Sequence, residues 1–200
     1  GVAEGLVFEN FEVKEFDWVK KLKEKQVVAH GSDFGFTQDP TTLISTIVDI
    51  QNKELWIYDE HYQRGMLTDE IYQMYLDKGL KNAKIIADSA EKRLITEIKR
   101  KGISNLKPSI KGQGSIMQGV QFIQGFKIYV HPTCEHTIEE LNTYTFEQDK
   151  DGNWLNKPID ANNHLMDALR YSLEEFHFPR NNRTNVNIKK NISRAKAMGL

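Results

Sequence analysis

One aspartate in this chain stands where a carboxylate needs a partner. Asp33 follows the apolar residues 27–29 and lies between two glycines, Gly31 and Gly35. The pattern predicts a buried strand that carries an acid. Because burial disfavours a lone charge, this carboxylate must be protonated, paired, hydrogen-bonded or bound to a metal ion. The glycines have no side chain, so another backbone segment or a ligand can come close to them.

A second aspartate, Asp88, stands where the predicted strand 84–87, apolar after Lys84, gives way to a helical pattern. In α/β sheets, ligands bind outside the carboxyl ends of the strands, so Asp88 is placed to face a site. The alternative is that Asp88 caps the following helix, in competition with Ser89. Taken alone, the segment leaves both interpretations open.

A third aspartate lies in the last predicted helix, residues 163–176. His164 and Asp167 are three residues apart, so they share one edge of that helix and can direct two ligand atoms at one place. The alternative is a solvated edge on which Asp167 pairs with Arg170 or Tyr171.

The three carboxylates would repel one another if they met without a counter-ion. A divalent cation resolves that conflict. Oxygen ligands with at most one imidazole suit Mg²⁺ or Mn²⁺ better than zinc. Two such ions ~3.5 to 4 Å apart would fit an in-line displacement at a phosphodiester, with one activating water and the other stabilising the leaving oxygen.

The elements that must position these acids form an α/β pattern. Residues 27–36, 41–50 and 54–62 are strand-like and separated by short turns, which predicts an antiparallel meander. A helical stripe and the strand 84–87 follow, and this crossover favours parallel pairing. Further along we predict strands at 106–110 and 127–130, helices at 115–124 and 134–142, and a β-hairpin within 143–158 around Asp149-Lys-Asp-Gly152.

Composition sets limits on the protein class. Two hundred residues with 39% hydrophobic content favour one domain with one sizeable core. No apolar run approaches the ~20 residues of a membrane span, so we expect a soluble protein without membrane contact. Cys134 is the only cysteine, which suits a reducing compartment. The net charge of -1 is not typical of a nucleic-acid-binding protein. Residues 179–200, however, carry six basic and no acidic residues.

Several motifs, in order, resemble the C-terminal nuclease domain of tailed-phage terminase large subunits. They are Gly31-Ser-Asp33-Phe-Gly35 with Asp39-Pro-Thr41, then Ala87-Asp88-Ser-Ala-Glu91, Lys111-Gly with Ser115-Ile, and Asn163-His164-Leu-Met-Asp167-Ala-Leu-Arg170-Tyr171. The resemblance implies an RNase H-like fold, with a five-stranded mixed sheet flanked by helices and a β-hairpin beside the active site. It implies that Asp33, Asp88 and Asp167 are catalytic metal ligands for Mg²⁺ or Mn²⁺, with two ions expected and His164 as an additional ligand.

The implied activity is a metal-dependent endonuclease that cuts concatemeric viral DNA during genome packaging in the host cytoplasm. The implied partners are double-stranded DNA, a packaging ATPase domain, the terminase small subunit and the portal protein. No Gly-x-x-x-x-Gly-Lys-Ser/Thr loop exists here, so we expect no ATP hydrolysis by this chain. We expect residues 1–26 to be a linker with a short helix, 27–178 the nuclease domain, and 179–200 a basic, flexible tail that docks on DNA or another packaging component.

Four basic residues near predicted strand ends are candidates for DNA backbone contacts. Lys111, between glycine-rich residues, is the strongest of them, and Lys92, Arg93 and Lys107 are the others. Two rival functions stay open. The same fold serves Holliday-junction resolvases and transposase-like nucleases, and a non-catalytic DNA-binding or docking module would use the acids only structurally.

Overall fold

The computed structural model describes residues 4–110, 112, 114–178 and 196–199. Lys111 and nearly all of the basic tail lie outside the described residues. The strands are β1 (Phe11–Val13), β2 (Val27–Asp33), β3 (Thr41–Asp49), β4 (Glu54–Gln63), β5 (Ile85–Ala87), β6 (Leu106–Pro108), β7 (Lys127–Val130), β8 (Phe146–Gln148) and β9 (Trp154–Pro158). The helices are α1 (Trp18–Lys23), α2 (Thr68–Asp77), α3 (Lys92–Lys101), α4 (Ser115–Gln124), α5 (Glu135–Thr143) and α6 (His164–His177).

A mixed sheet forms the centre of the fold, in the strand order β1-β7-β4-β3-β2-β5-β6. The predicted meander is confirmed, since β3 pairs antiparallel with both β2 and β4. The predicted crossover is confirmed as well, because β5 pairs parallel with β2. The expected α/β class therefore holds, but the sheet has seven strands where five were expected. The sequence predicted six of these strands, including β6 within 106–110, and the strand that it did not predict is the three-residue edge strand β1.

Helices cover both faces of the sheet. Consecutive residues of β3 point to opposite faces, so Ile44 joins a core shared with α4, α5 and α6, while Leu43 joins a core shared with α2 and α3. Both residues are almost fully buried. The site-bearing strands thus run through the middle of a three-layer structure, which keeps their ends in fixed positions.

The first 26 residues contain β1 and α1. The side chain of Asp17 accepts a hydrogen bond from the Lys20 amide and so caps α1. Val7 and Phe8 are buried in the core shared with α4 to α6, and β1 extends the sheet by pairing parallel with β7. The division of the chain at residues 26 and 178 stays a prediction.

The predicted hairpin is present as the antiparallel pair of β8 and β9, separate from the main sheet. Asp149 accepts hydrogen bonds from the amides of Asp151 and Asn153, and Gly152 adopts a positive φ of 82° that completes the turn. Among the described residues, no helix has the length and apolar character that crossing a membrane requires.

Candidate functional site

The first two aspartates lie side by side at one edge of the sheet. Ser32 of β2 pairs with Ala87 of the parallel strand β5, so Asp33 and Asp88 are the next residues of neighbouring strands. The Asp88 amide donates to the Ser32 carbonyl at 3.2 Å, which extends this pairing by one residue. The carboxyl ends of two parallel strands therefore present two carboxylates together, as the sequence predicted.

Asp88 does not cap helix α3. Its Oδ1 accepts a hydrogen bond from the Ala90 amide at 2.9 Å, within the turn before the helix. The residue preceding α3 is Glu91, which makes no side-chain capping bond. The capping alternative is therefore wrong for both Asp88 and Ser89, because the chain makes a further turn before α3 begins.

Helix α6 approaches strand β2 through a glycine. A Cβ atom placed on Gly31 would lie 1.9 Å from the carbonyl oxygen of Ala168, far inside van der Waals contact. Gly35 has a similar role, since its Cβ would lie 2.1 Å from the Asp39 carbonyl oxygen. The expectation that these glycines admit another backbone is confirmed. The close approach at Gly31 brings the His164 to Asp167 turn of α6 against Asp33.

His164 lies between two carboxylates. Its Nδ1 is 3.3 Å from Asp33 Oδ2, and its Nε2 is 3.6 Å from Asp39 Oδ1. The Thr42 hydroxyl donates to the His164 carbonyl at 3.3 Å and so helps to fix the position of His164. The hydrogen bond with Asp33 raises the pKa of His164 above its ordinary value. The imidazole is thus held between two carboxylates, and its role as a metal ligand stays a prediction.

Asp167 is paired with an arginine of its own helix. Arg170 Nη2 donates to Asp167 Oδ1 at 3.1 Å, and both side chains are largely buried. The pairing that the sequence offered as an alternative is therefore present. It does not take Asp167 away from the site, since Asp167 lies near enough to Asp33 for their charges to interact.

Burial and repulsion between carboxylates disfavour the ionisation of Asp33 and Asp167. Burial raises the pKa of Asp33, and repulsion from Asp88 adds to this against the hydrogen bond with His164. Burial also raises the pKa of Asp167 to about 6. The charge of Arg170 lowers this pKa, and repulsion from Asp33 raises it by a smaller amount. Three acids from β2, β5 and α6 thus share one electrostatic environment that favours added positive charge.

A buried glutamate holds the start of helix α6. Glu140 of α5 accepts hydrogen bonds from the backbone amides of Leu165 and Met166 at 2.8 and 3.1 Å. These amides belong to the first turn of α6, where no earlier carbonyl can bind them. Glu140 therefore fixes the turn from which His164 and Asp167 project.

The donor set fits a hard divalent cation. Carboxylate oxygens are the ligands that Mg²⁺ and Mn²⁺ prefer, and the three acids repel one another without a counter-charge. Within the described part of the chain, however, no three His, Cys, Asp or Glu side chains are arranged as a ready ligand group. His164 and Arg170 hold two of the acids instead, each through one carboxylate oxygen, Asp33 Oδ2 and Asp167 Oδ1.

The wall of the site includes the hairpin. A cavity of about 450 Å³ is lined by Asp167, Asn163 and residues 157–160, which include the end of β9. A second cavity of about 300 Å³ is lined by Asp88, Ser89 and Ser109. Arg170 and Tyr171 line both cavities, so the hairpin lies beside the acids, as expected.

The four basic residues predicted to contact DNA lie in different parts of the fold or outside the described residues. Lys92 and Arg93 begin helix α3 and are exposed, four and five residues after Asp88. Lys107 is half-buried on the edge strand β6, paired in register with Ile86 of β5. Lys111 lies outside the described residues. Contacts of these four residues with DNA stay a prediction.

Sequence reasoning missed two residues of this site, Asp39 and Glu140. In the sequence, Asp39 stood out only as part of a motif. In the structure its carbonyl packs closely on Gly35, and its carboxylate lies 3.6 Å from His164 Nε2. Glu140 lies on the apolar side of α5, where a charged residue within an otherwise buried stripe was the available signal.

A family model described as the terminase RNase H-like domain matches residues 33–175. The chain is 32% identical over 181 residues to the PBSX phage terminase large subunit of Bacillus subtilis strain 168, covering 88% of this chain and 41% of that protein. It is 26% identical over 176 residues to the terminase large subunit of Bacillus phage SPP1, covering 86% and 39%. The chain thus spans about two fifths of the length of these relatives.

Solved structures of the same kind match the fold. The manganese-bound nuclease domain of the large terminase of bacteriophage SPP1 superposes with a TM-score of 0.78 at 24% identity, covering 85% of this chain and 98% of that one. The magnesium-bound large terminase nuclease of the thermophilic phage G20c superposes with a TM-score of 0.58 at 15% identity, covering 86% and 98%. These likenesses show that the chain has the RNase H-like fold of large terminase nuclease domains.

Proposed function

Since the chain belongs to the terminase RNase H-like domain family, we propose that it is a metal-dependent DNA endonuclease that cuts concatemeric viral DNA during genome packaging. The observation that carries the proposal is the meeting of Asp33, Asp88 and Asp167 at one edge of the sheet, where burial raises the pKa of Asp33 and Asp167 and repulsion between the acids adds to this effect. Such a cluster is stabilised by divalent cations and suits phosphodiester hydrolysis.

In this proposal Asp33, Asp88 and Asp167 hold Mg²⁺ or Mn²⁺, two ions in all, and His164 joins them as an additional ligand. The metal-bound relatives from SPP1 and G20c support the choice of cations. A bound cation supplies an activated water and a counter-charge for the leaving oxygen. Asp33 ends strand β2, Asp88 follows strand β5 and Asp167 lies on the packed helix α6, so the protein fixes the positions of the three carboxylates.

The remaining assignments extend the same proposal. Double-stranded DNA is the substrate, with Lys92, Arg93, Lys107 and Lys111 at its backbone and the hairpin limiting access. In the host cytoplasm the domain works with a packaging ATPase domain, a terminase small subunit and the portal protein, and the basic residues of 179–200 dock on DNA or on one of these components. The support is membership of a family whose relatives are terminase large subunits.

One observation favours a second candidate, a non-catalytic DNA-binding module. Two of the acids are already paired, Asp33 with His164 and Asp167 with Arg170, and structural acids would be paired in the same way. This candidate predicts binding to DNA without metal and no cleavage. Metal-dependent cleavage therefore separates the two functions.

The test is plasmid cleavage by the wild-type chain and by Asp33→Asn, each with Mg²⁺, Mn²⁺, Ca²⁺ or EDTA. We expect cleavage with Mg²⁺ and Mn²⁺ only, and a rate lower by about 100-fold or more in the variant, because loss of even a supporting partner of a metal ligand costs ~10- to 100-fold. Asp77→Asn, at an exposed carboxylate near the end of α2, is the matched control.

Two outcomes would contradict the proposal. No cleavage by the wild-type chain together with metal-independent DNA binding would favour the binding module. Cleavage of four-way junctions in strong preference to linear and plasmid DNA would favour a resolvase.

A further inference from the structure

Arg170 is a buried cation beside a candidate metal ligand. Its side chain is 12% exposed, and its Nη2 donates to Asp167 Oδ1 at 3.1 Å, one helical turn away. Its Nε is fully buried and has no hydrogen-bond partner among the described residues. A charge placed in such surroundings is costly unless it is paired, so the bond with Asp167 is what justifies an arginine here.

Helix α4 is shaped to receive this side chain. A Cβ atom on Gly119 would lie 2.6 and 2.8 Å from Cγ and Cδ of Arg170, closer than real Cβ atoms approach carbon. Gly119 lies in the middle of α4, where glycine is less favourable than alanine. The glycine therefore answers a packing need, namely a groove for the aliphatic part of Arg170.

Arg170 also contacts both cavities of the candidate site. It lines both the cavity that holds Asp167 and the cavity that holds Asp88. Arg170 thus lies beside the cavities of two acids, Asp88 and Asp167, while bonding to Asp167.

We propose that Arg170, seated by Gly119, is a positioning residue that fixes the Asp167 carboxylate for binding of a divalent cation. This inference rests on the proposed function. The bond to Nη2 engages one oxygen of Asp167 and leaves the other oxygen to bind a cation. Hydrogen-bonded partners of this kind orient metal ligands, and their loss weakens metal binding.

Gly119→Ala is the sharpest test, because residue 119 lies on another helix and its added methyl group acts through Arg170. We expect Gly119→Ala and Arg170→Ala each to weaken Mn²⁺ binding by about 10- to 100-fold, measured from the electron paramagnetic resonance signal of free Mn²⁺. The double variant is expected to bind like Arg170→Ala alone, since residue 119 would then meet only the Arg170 Cβ at 4.0 Å. Gln121→Ala, exposed on the same helix, is the matched control.

Urea unfolding of the same four variants tests whether the groove exists. If it does, Gly119→Ala should destabilise the wild-type chain but should not further destabilise the Arg170→Ala variant. Additive effects of the two substitutions on Mn²⁺ binding, or Arg170→Ala binding Mn²⁺ as tightly as wild type, would overturn the inference alone. A wild-type chain that binds no Mn²⁺ would overturn the proposed function, and the inference with it.

Discussion

At the level of single residues, the ionisation of Asp167 makes the stability of the fold depend on pH. Burial raises its pKa to about 6, from an ordinary value of 3.8. Between these values the folded chain keeps a proton that the unfolded chain releases. Stability from this group is therefore complete below about pH 4 and is lost as pH rises through about 6.

We predict that the free energy of unfolding falls between pH 4.5 and 8 by about 2 kcal/mol more in wild type than in Asp167→Asn, because one pKa unit corresponds to ~1.4 kcal/mol. Urea unfolding at the two pH values, with EDTA present, measures this difference. The two proteins differ in one titratable group, so the comparison isolates Asp167 together with its effect on the groups it contacts. Equal pH dependence in the two proteins would show that Asp167 is not shifted.

Single residues also show which parts of the site could be predicted from the sequence and which could not. Asp33 was predictable because an acid next to apolar residues and glycines signals a buried carboxylate. Arg170 was visible only as one possible partner of Asp167, and Gly119 carried no signal at all. The groove that joins Arg170 and Gly119 depends on how α4 packs on α6, which no local pattern encodes.

At the level of elements, the contact between α6 and β2 positions the site. We predict that Gly31→Ala lowers the free energy of unfolding by about 3 kcal/mol or more, because a methyl group would overlap the Ala168 carbonyl and overpacking of a tight core costs ~1 to 3 kcal/mol or more. It should also abolish cleavage, because α6 carries two of the predicted ligands.

Gly112→Ala is the matched control for Gly31→Ala. A Cβ atom on Gly112 would meet nothing within 4 Å, so its effect on unfolding should stay within ~0.5 kcal/mol. Urea unfolding of both variants is the measurement. Equal stability of Gly31→Ala and Gly112→Ala would mean that α6 does not rest on β2 through this glycine.

Elements with long, regular patterns were predictable, and the short edge strand β1 was not. Helix α4 runs over the predicted residues 115–124, and α6 begins within one residue of its predicted start. Strand β1 has three residues, two of them exposed, so it shows no apolar alternation. It exists because β7 offers a free edge, which is a property of the assembled sheet.

At the level of the whole molecule, the segment before β2 takes part in the core. Phe8 is 3% exposed, packs against Tyr144 with ring centroids 5.9 Å apart, and belongs to the core shared by α4, α5 and α6. The amide of Val7 donates to the Tyr144 carbonyl at 2.9 Å, which ties the segment to the base of the hairpin. We infer that the folded unit includes residues well before 27.

This inference predicts that Phe8→Ala lowers the free energy of unfolding by about 3 to 5 kcal/mol, the usual cost of removing a buried aromatic side chain. Glu9→Ala, at the exposed neighbouring position, should change it by less than ~0.5 kcal/mol. A chain restricted to residues 27–178 would lose the buried segment altogether and should unfold at a clearly lower urea concentration than the full chain. If Phe8→Ala and the 27–178 chain both unfolded like wild type, residues 1–26 would be a linker, as the sequence first indicated.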